Sequence, residues 1–388
     1  MPNRTLGVRD MATTVAKLGY VRCMPRRPSS IVTADDTTGA LEVAAACADA
    51  GMSCAVTTSN VAAVAEATSP DVVVIDLRSR HLAGDEAASL LVSILQRESS
   101  FRAHKIDSTL RGNWAVETAA IAHTGRQVLL VPAFPAAGRT CIDGTVLVDG
   151  VPVHQTAFAA DPRSPVTGSQ PIEYLPGAVA AHDLGSVRAA FAGGARIVVA
   201  DAATDADVAA LTAHAADHPE VVVVGPAAVV SSLFTGALVS GGDHQRAVSP
   251  RRLEARALVV SASQHPIATA QLAELARLGI EVVRPPSDAR LDDAARVLCQ
   301  LAAVVHARLA GDSTIATLVS VGGDTTAAMI GDAVVIVEGT IGVGIAVGSI
   351  ELHGRPLRLV TKPGGFGVAG TLADALADVL GDVLGDVL

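Results

Sequence analysis

The chain has 388 residues and a mass of 39.2 kDa, room for two domains at roughly 100–200 residues each. Half of the residues are hydrophobic and only 2% aromatic, which excludes global disorder and gives a core of Ala, Val, Gly and Leu. The 29 Lys and Arg against 39 Asp and Glu leave a net charge of −10, which excludes general nucleic-acid binding but not an anionic substrate, because a local cation cluster governs its own cleft.

In chain order, residues 1–29 carry several Arg and no sustained apolar run, and read as an N-terminal extension rather than a secretory leader. Short β-branched runs then alternate with longer Ala/Leu segments. Strands are predicted at Ile31–Ala34, Val72–Leu77, Val128–Pro132, Ile197–Asp201, Val221–Val224, Leu258–Ser261, Glu281–Arg284, Leu318–Val321 and Leu357–Thr361. Helices are predicted at Leu41–Ala50, Asp85–Arg97, Trp114–His123, Asp205–Ala216, Ile267–Leu278, Asp292–Leu309 and Thr371–Leu380. Continuously apolar strands alternating with helices imply parallel sheets covered on both faces. The uncharged stretch Val221–Gly242 is long enough to span a bilayer, but Gly225-Pro226 breaks it into a buried strand and an Ala/Val/Leu helix, so no membrane association is expected.

The polar segment Gly241–Arg252 is the predicted boundary between an N-terminal domain, 30–245, and a C-terminal domain, 253–388. The fold expected is two layered α/β domains with largely parallel sheets and an active-site cleft between them. Pro135–Pro176, rich in Gly, Pro and Asp, has little helical periodicity, and a long segment of that kind is often functional where it crosses a cleft. The last residues, LGDVLGDVL, read as a helical or frayed tail. Five cysteines (Cys23, Cys47, Cys54, Cys141 and Cys299) without a CxxC pair indicate neither a disulfide framework nor zinc, and suit a reducing cytoplasm. Cys47 and Cys54 read as small core residues. His214 and His218, spaced i, i+4 but without HExxH, read as surface histidines, and no metal-ligand cluster is expected.

Three clusters could carry chemistry in the first domain. In VTADDTTGALEVA, Asp35 and Asp36 end a strand and Thr37-Thr38-Gly39 lead into a helix. Ligands in open α/β sheets bind at such carboxyl ends, and paired carboxylates there can orient a polyol, hold Mg²⁺ or accept a proton. Helix capping accounts for one of the two carboxylates. In VIDLRSRHL, a strand again ends in Asp76, Arg78, Ser79 and Arg80, and Arg in such a loop can clamp a carboxylate at two points. In HKIDSTLRGNW, Lys105, Asp107, Ser108, Thr109, Arg111 and Gly112 form an anion-binding turn, with Asn113 placed to open the next helix. The second domain has three strand ends with glycine or serine, VVSASQHP, VSVGGDTTAAM and VTKPGGFG, whose amides could approach phosphate oxygens. None is a Walker A loop, and GVGIAVG lacks the spacing of a dinucleotide fingerprint.

Together the blocks ADDTTGA, DLRSRHL, KIDSTLRGN, PAFPAAGRTCIDG, GGDTTA and KPGGFG, in order from about Ile31 to Gly367, resemble the four-carbon acid sugar kinase family. The resemblance implies a sugar-acid-binding domain followed by a nucleotide-binding domain. It also implies ATP-dependent phosphorylation of a terminal hydroxyl of threonate, erythronate or 3-oxo-tetronate, with ATP and Mg²⁺ as cofactors and a homo-oligomer as an option. By resemblance Asp35, Asp36, Asp76, Arg80, Lys105, Asp107, Ser108 and Arg111 face the sugar acid, with Asp36 or Asp107 orienting or deprotonating the hydroxyl. Ser261, Gly322, Gly323, Asp324, Thr325 and Gly364 would contact ATP. The chain departs from the family pattern at Asp324, where Glu is frequent, at Ala262, where Gly is common, at Pro363-Gly364-Gly365, where Ser-Gly-Asn is usual, and in the run GPAAV after Val224. A dehydrogenase on a similar layered fold and a catalytically silent sugar-acid sensor are the alternatives, distinguished by NAD(H) turnover and by binding without product.

Overall fold

The structure, a computed structural model, describes residues 30–58, 61, 64, 69–98, 100–239, 256–286, 294–342 and 344–380. The extension 1–29, the boundary segment 241–252 and most of the C-terminal repeat lie outside the described residues. The strands in chain order are β1 (Ser30–Ala34), β2 (Cys54–Thr57), β3 (Val72–Asp76), β4 (Phe101–Lys105), β5 (Gln127–Leu130), β6 (Arg139–Ile142), β7 (Thr145–Val148), β8 (Val151–Pro152), β9 (Val179–Ala181), β10 (Ile197–Ala200), β11 (Val221–Gly225), β12 (Arg256–Val260), β13 (Glu281–Val283), β14 (Ile315–Val321), β15 (Val335–Gly342), β16 (Ile345–Leu352) and β17 (Arg355–Lys362). The helices are α1 (Thr37–Asp49), α2 (Gly84–Arg97), α3 (Trp114–His123), α4 (Leu184–Ala192), α5 (Asp205–Asp217), α6 (Ala227–Val239), α7 (Pro266–Arg277), α8 (Ala294–Gly311), α9 (Gly323–Ile330) and α10 (Thr371–Leu380).

Fourteen strands form one sheet in the order β13-β12-β14-β17-β16-β15-β2-β3-β1-β4-β11-β5-β10-β9. Two parallel blocks are joined by an antiparallel hairpin. β2, β3, β1, β4, β11, β5, β10 and β9 are mutually parallel, as are β13, β12, β14 and β17, while β15 and β16 run antiparallel to their neighbours. The apolar runs VVVID of β3 and VVVVG of β11 are buried along their whole length, as strands covered on both faces must be. The seam between the blocks is the pairing of Val335 with Val56 and Val337 with Cys54. One hydrophobic cluster crosses that seam, taking in Ile31 and Val74 on one side and Val335, Leu318 and Leu359 on the other.

The hairpin reverses strand direction, so in a flat sheet the carboxyl ends of the two blocks would lie on opposite edges. Six strand steps separate β1 from β14. A twist of roughly 20–25° per step accumulates over them and turns the two sets of ends toward a common cleft. Helix α1 sits at the seam with Ala40, Ala44, Ala45, Cys47 and Ala48 buried, and its Asp49 carboxylate accepts Thr340 N (2.9 Å) and Thr340 Oγ1 (2.7 Å) from β15. That crowding explains the small residues of the helix.

Two expectations change. His214 is buried on α5 rather than surface-exposed, and its carbonyl accepts from His218 Nδ1 at 2.7 Å. Residues 221–239 form β11 and α6, the strand and helix expected, and no described helix is long and apolar enough to cross a membrane. Pro135–Pro176 contains the small antiparallel sheet β6-β7-β8 and several 3₁₀ turns. Cys47 and Cys54 are buried free thiols, as expected of core residues.

Candidate active site

At the end of β1, Asp36 caps α1, accepting Gly39 N at 3.2 Å from an extended backbone. The same Oδ1 accepts from Arg80 Nη2 at 2.7 Å and Lys105 Nζ at 2.6 Å, so this carboxylate does more than cap the helix. Arg80 also forks onto Asp35, Nε to Oδ2 at 2.7 Å and Nη2 to Oδ1 at 3.0 Å. The two-point clamp expected of this loop is thus made to the chain's own carboxylate. Burial alone would raise the Asp36 pKa, but Arg80 and Lys105 outweigh it and hold the carboxyl well below the usual carboxylate range. Burial likewise works against the Lys105 ammonium, and Asp35 and Asp36 more than compensate, raising it. Gly39 is required here because a Cβ would run into Lys105 Nζ.

The loop that carries Arg80 is fixed from beneath. Arg78 takes a left-handed backbone (φ 51°), and Ser79–His81 form a 3₁₀ turn. Ser79 Oγ donates to buried Glu117, whose other oxygen meets His104 Nε2 at 3.2 Å, while His104 Nδ1 meets Thr33 Oγ1 at 2.8 Å. Asn113 opens α3 but spends its side chain on Ser79 O (2.8 Å) and Leu82 O (3.0 Å). Asp76, also buried, accepts Thr37 Oγ1 at 2.5 Å. It supports the cleft from behind and does not line it.

Asp107 has both oxygens engaged. Oδ2 accepts from Arg111 Nε at 3.0 Å and from Thr109, and Oδ1 from Arg111 Nη2 at 2.8 Å. Burial is again outweighed, by Arg80 and Arg111, and its pKa lies well below normal. Arg111 reaches Asp161 Oδ2 through Nη1 at 3.3 Å and stacks over Phe158 at 5.3 Å.

Across the cleft, β12, β14 and β17 end in neighbouring loops. Ser261 Oγ donates to Val321 O at 2.8 Å and accepts Ser263 N at 3.1 Å. Thr325 Oγ1 accepts Ala262 N at 3.0 Å. Gly322 (φ 105°) turns the chain into α9. Gly323, Asp324 and Gly364 line the cleft, whereas Ser261, Gly322 and Thr325 hold the loops together behind it. Lys362 is fully buried with Pro363 O at 2.6 Å, and burial pushes its ammonium down to about 8.

The cleft is about 760 Å³ and is lined from both blocks. Asp35, Asp36, Arg80, Lys105, Asp107, Ser108 and Arg111 meet Gly323, Asp324 and Gly364 around it. The two walls come close at Gly323, where an added Cβ would lie 2.8 Å from Thr38 Oγ1 and 3.4 Å from Asp36 Oδ2. Residues not singled out from sequence also line it, among them Glu42, His81, Arg139, Phe158, Asp161 and Arg163. Arg139 stood in the block PAFPAAGRT, and the last three lie in the segment read as crossing a cleft. Burial raises the Glu42 pKa, only partly offset by Lys105. Away from the cleft, Asp143, His182 and Asp201 bring ligand atoms within 4.8 Å of one another, a grouping with no signal in sequence spacing.

A family model described as a sugar-binding N-terminal domain matches residues 30–233, over half of the chain. The chain belongs to the four-carbon acid sugar kinase family. Among relatives of this kinase family, a D-threonate kinase of Cupriavidus necator is 36% identical over 243 residues, 57% of this chain and 58% of its own. A D-erythronate kinase of Heliobacterium modesticaldum is 32% identical over 192 residues, 44% of this chain and 43% of its own. The chain thus spans about half the length of the curated relatives it matches. A solved structure from Salmonella typhimurium superposes with a TM-score of 0.72 at 20% identity, covering 90% of this chain and 98% of that one, a likeness of fold. A Bordetella bronchiseptica structure, described as a domain-swapped dimer with bound citrate, gives 0.51 at 26% identity and covers 91% of this chain and 98% of its own.

Proposed function

We propose that this protein transfers the terminal phosphoryl group of ATP to a terminal hydroxyl of a four-carbon sugar acid: threonate, erythronate or 3-oxo-tetronate. Residues 30–245 receive the acid and 253–388 the nucleotide. The observation that supports this best is the close approach of Gly323 to Thr38 and Asp36, which leaves no room for a Cβ and sets a glycine-opened helix start against the paired carboxylates at the end of β1. The hydroxyl oxygen forms a bond to the γ-phosphorus. The bond from that phosphorus to the bridging oxygen breaks, and its electron pair leaves with ADP. The hydroxyl proton passes to a carboxylate.

Of the two carboxylates expected to take that role, Asp36 is the better placed. Its bonds from Arg80, Lys105 and Gly39 all fall on Oδ1, leaving Oδ2 toward Gly323. Asp107 instead braces Arg111. Lys105, Arg80 and Arg111 offset the charge of the buried carboxylates, and Arg139, whose Nε is buried without a partner, offers a donor to the acid's carboxylate. Mg²⁺, which neutralises phosphate charge and takes few protein carboxylates, would be held by Asp324 at the cleft wall. Phosphoryl transfer asks mainly for positioning and charge neutralisation, and this cleft supplies both.

Coupled ADP release over a panel of threonates, erythronates and 3-oxo-tetronates tests the reading, with product NMR locating the phosphate. Expected is turnover with at least one acid and a phosphate on its terminal oxygen. NAD(H) turnover, or acid binding without ADP release, would replace it by the dehydrogenase or the sensor.

A further inference from the structure

The cations of the cleft fall into two kinds. Arg80, Lys105 and Arg111 are held in buried pairs with carboxylates of their own block. Arg163 is paired across the cleft. Its Nη1 meets Asp324 Oδ2 at 2.6 Å, with the two side chains 48% and 56% exposed. An ion pair that open to water is screened and weak, so a better anion can displace either partner. The backbone beneath Arg163 is fixed by contrast: Arg163 N and Ser164 N donate to Asp161 Oδ1 at 3.0 and 2.9 Å, and Asp161 Oδ2 accepts from Arg111 at 3.3 Å. A rigid turn thus carries an exchangeable guanidinium to the entry of α9, the residue after the Gly323 contact.

We propose that Arg163 is a catalytic residue that leaves Asp324 for the γ-phosphate oxygens of the bound nucleotide and stabilises the charge that builds on them during transfer. The inference rests on the kinase reading above. Asp324 holds the guanidinium near its target while the cleft is open, and the Asp161 turn ties its position to Arg111, on the sugar-acid side. A planar, permanently charged fork suits phosphate oxygens, and a guanidinium offered at the transfer step acts on turnover more than on binding.

The test compares wild type with Arg163→Gln, Arg163→Lys and Arg163→Ala. Steady-state ADP release is measured with both substrates varied, ADP affinity by calorimetry, and thermal midpoint as a check of folding. Expected for Arg163→Gln is a fall in kcat of about 100-fold or more, with nucleotide Kd and sugar-acid KM within about threefold. Arg163→Lys should fall between, and added guanidinium should restore part of the kcat of Arg163→Ala. A kcat within about threefold of wild type in Arg163→Gln would overturn the inference. So would a loss of affinity that accounts for the whole effect, or a lowered thermal midpoint without guanidinium rescue. A wild type that releases no ADP with any acid of the panel would overturn the kinase reading itself, and this role with it.

Discussion

The two walls of the cleft solve the same problem with different materials. The wall built by β1, β3 and β4 is a buried lattice of charge: Asp35, Asp36 and Asp107 against Arg80, Lys105 and Arg111, held from below by Glu117, His104 and Thr33. The wall built by β12, β14 and β17 has little charge and works through glycines and hydroxyls, Gly322, Gly323, Gly364, Ser261 and Thr325. A buried ion is stable only in company, so the first wall can be changed only at high cost. The second depends on the absence of side chains, so it is spoiled by addition rather than by removal.

The largest effect should come from breaking the charged lattice. Arg80→Met strips Asp35 of its fork and Asp36 of one partner, and should cost on the order of 3 kcal/mol in urea unfolding. A loss below about 1 kcal/mol would mean that water already shares that site. Gly323→Val should cost less stability than Arg80→Met yet lower kcat/KM for nucleotide by about 100-fold, because a Cβ there would lie 2.8 Å from Thr38 Oγ1 and its methyl groups would crowd the cleft. Equal damage to stability and turnover would erase the contrast between the walls.

Arg111→Lys loses the fork to Asp107 and the stacking on Phe158, and should raise the sugar-acid KM about tenfold with nucleotide KM unchanged. Asp107→Asn should give the same kind of defect, in binding rather than turnover, since both its oxygens serve Arg111.

The smallest effect is in pH dependence, where stability should rise with pH for both walls but in different windows. Asp36 and Asp107 titrate lower folded than unfolded, so their stabilisation is present above the ordinary value of 3.8 and is lost as pH falls through their folded values. Lys362 titrates at about 8 in the fold against 10.5 ordinarily, so between those values the unfolded chain binds more protons and stability rises with pH. Urea midpoints followed from pH 7.5 upward should show that rise in wild type and not in Lys362→Met.

Much of this was readable from the sequence where strands are wholly apolar and helices amphipathic. β1, β3, β5, β10, β11, β12, β14 and β17 fell close to their expected ranges. β4 escaped because Arg102, His104 and Lys105 interrupt its apolar pattern, although His104 and Lys105 are buried and partnered. β15 and β16 escaped because their glycines read as loop. Gly348 is glycine because a Cβ would lie 2.5 Å from Ile336 O of the paired strand, a contact set by register and not by local propensity. The start of α9 likewise read only as a phosphate loop. In the cleft the charged motifs were visible, but their mutual pairing was not. Sequence shows cations near carboxylates, and only tertiary structure shows that Arg80 and Arg111 are taken by Asp35 and Asp107. Arg163 and Asp161 carried no local signal beyond their place in a segment of unusual composition.

The seam between β2 and β15 also sets an order of events in synthesis. β2 comes from the early part of the chain and its partner β15 from near the end. On the ribosome the first block therefore emerges with β2 as an open edge, a short uncharged CAVT strand with none of the charges or prolines that guard exposed edges. It stays open until the 335–352 hairpin is made, and in that interval the hairpin of a second copy fits it as well as its own. A truncation that stops before β15 would leave the vacancy permanent. The hairpin, although it contributes few groups to the cleft, covers the β2 edge and leaves β13 and β9 as the edges of the described sheet.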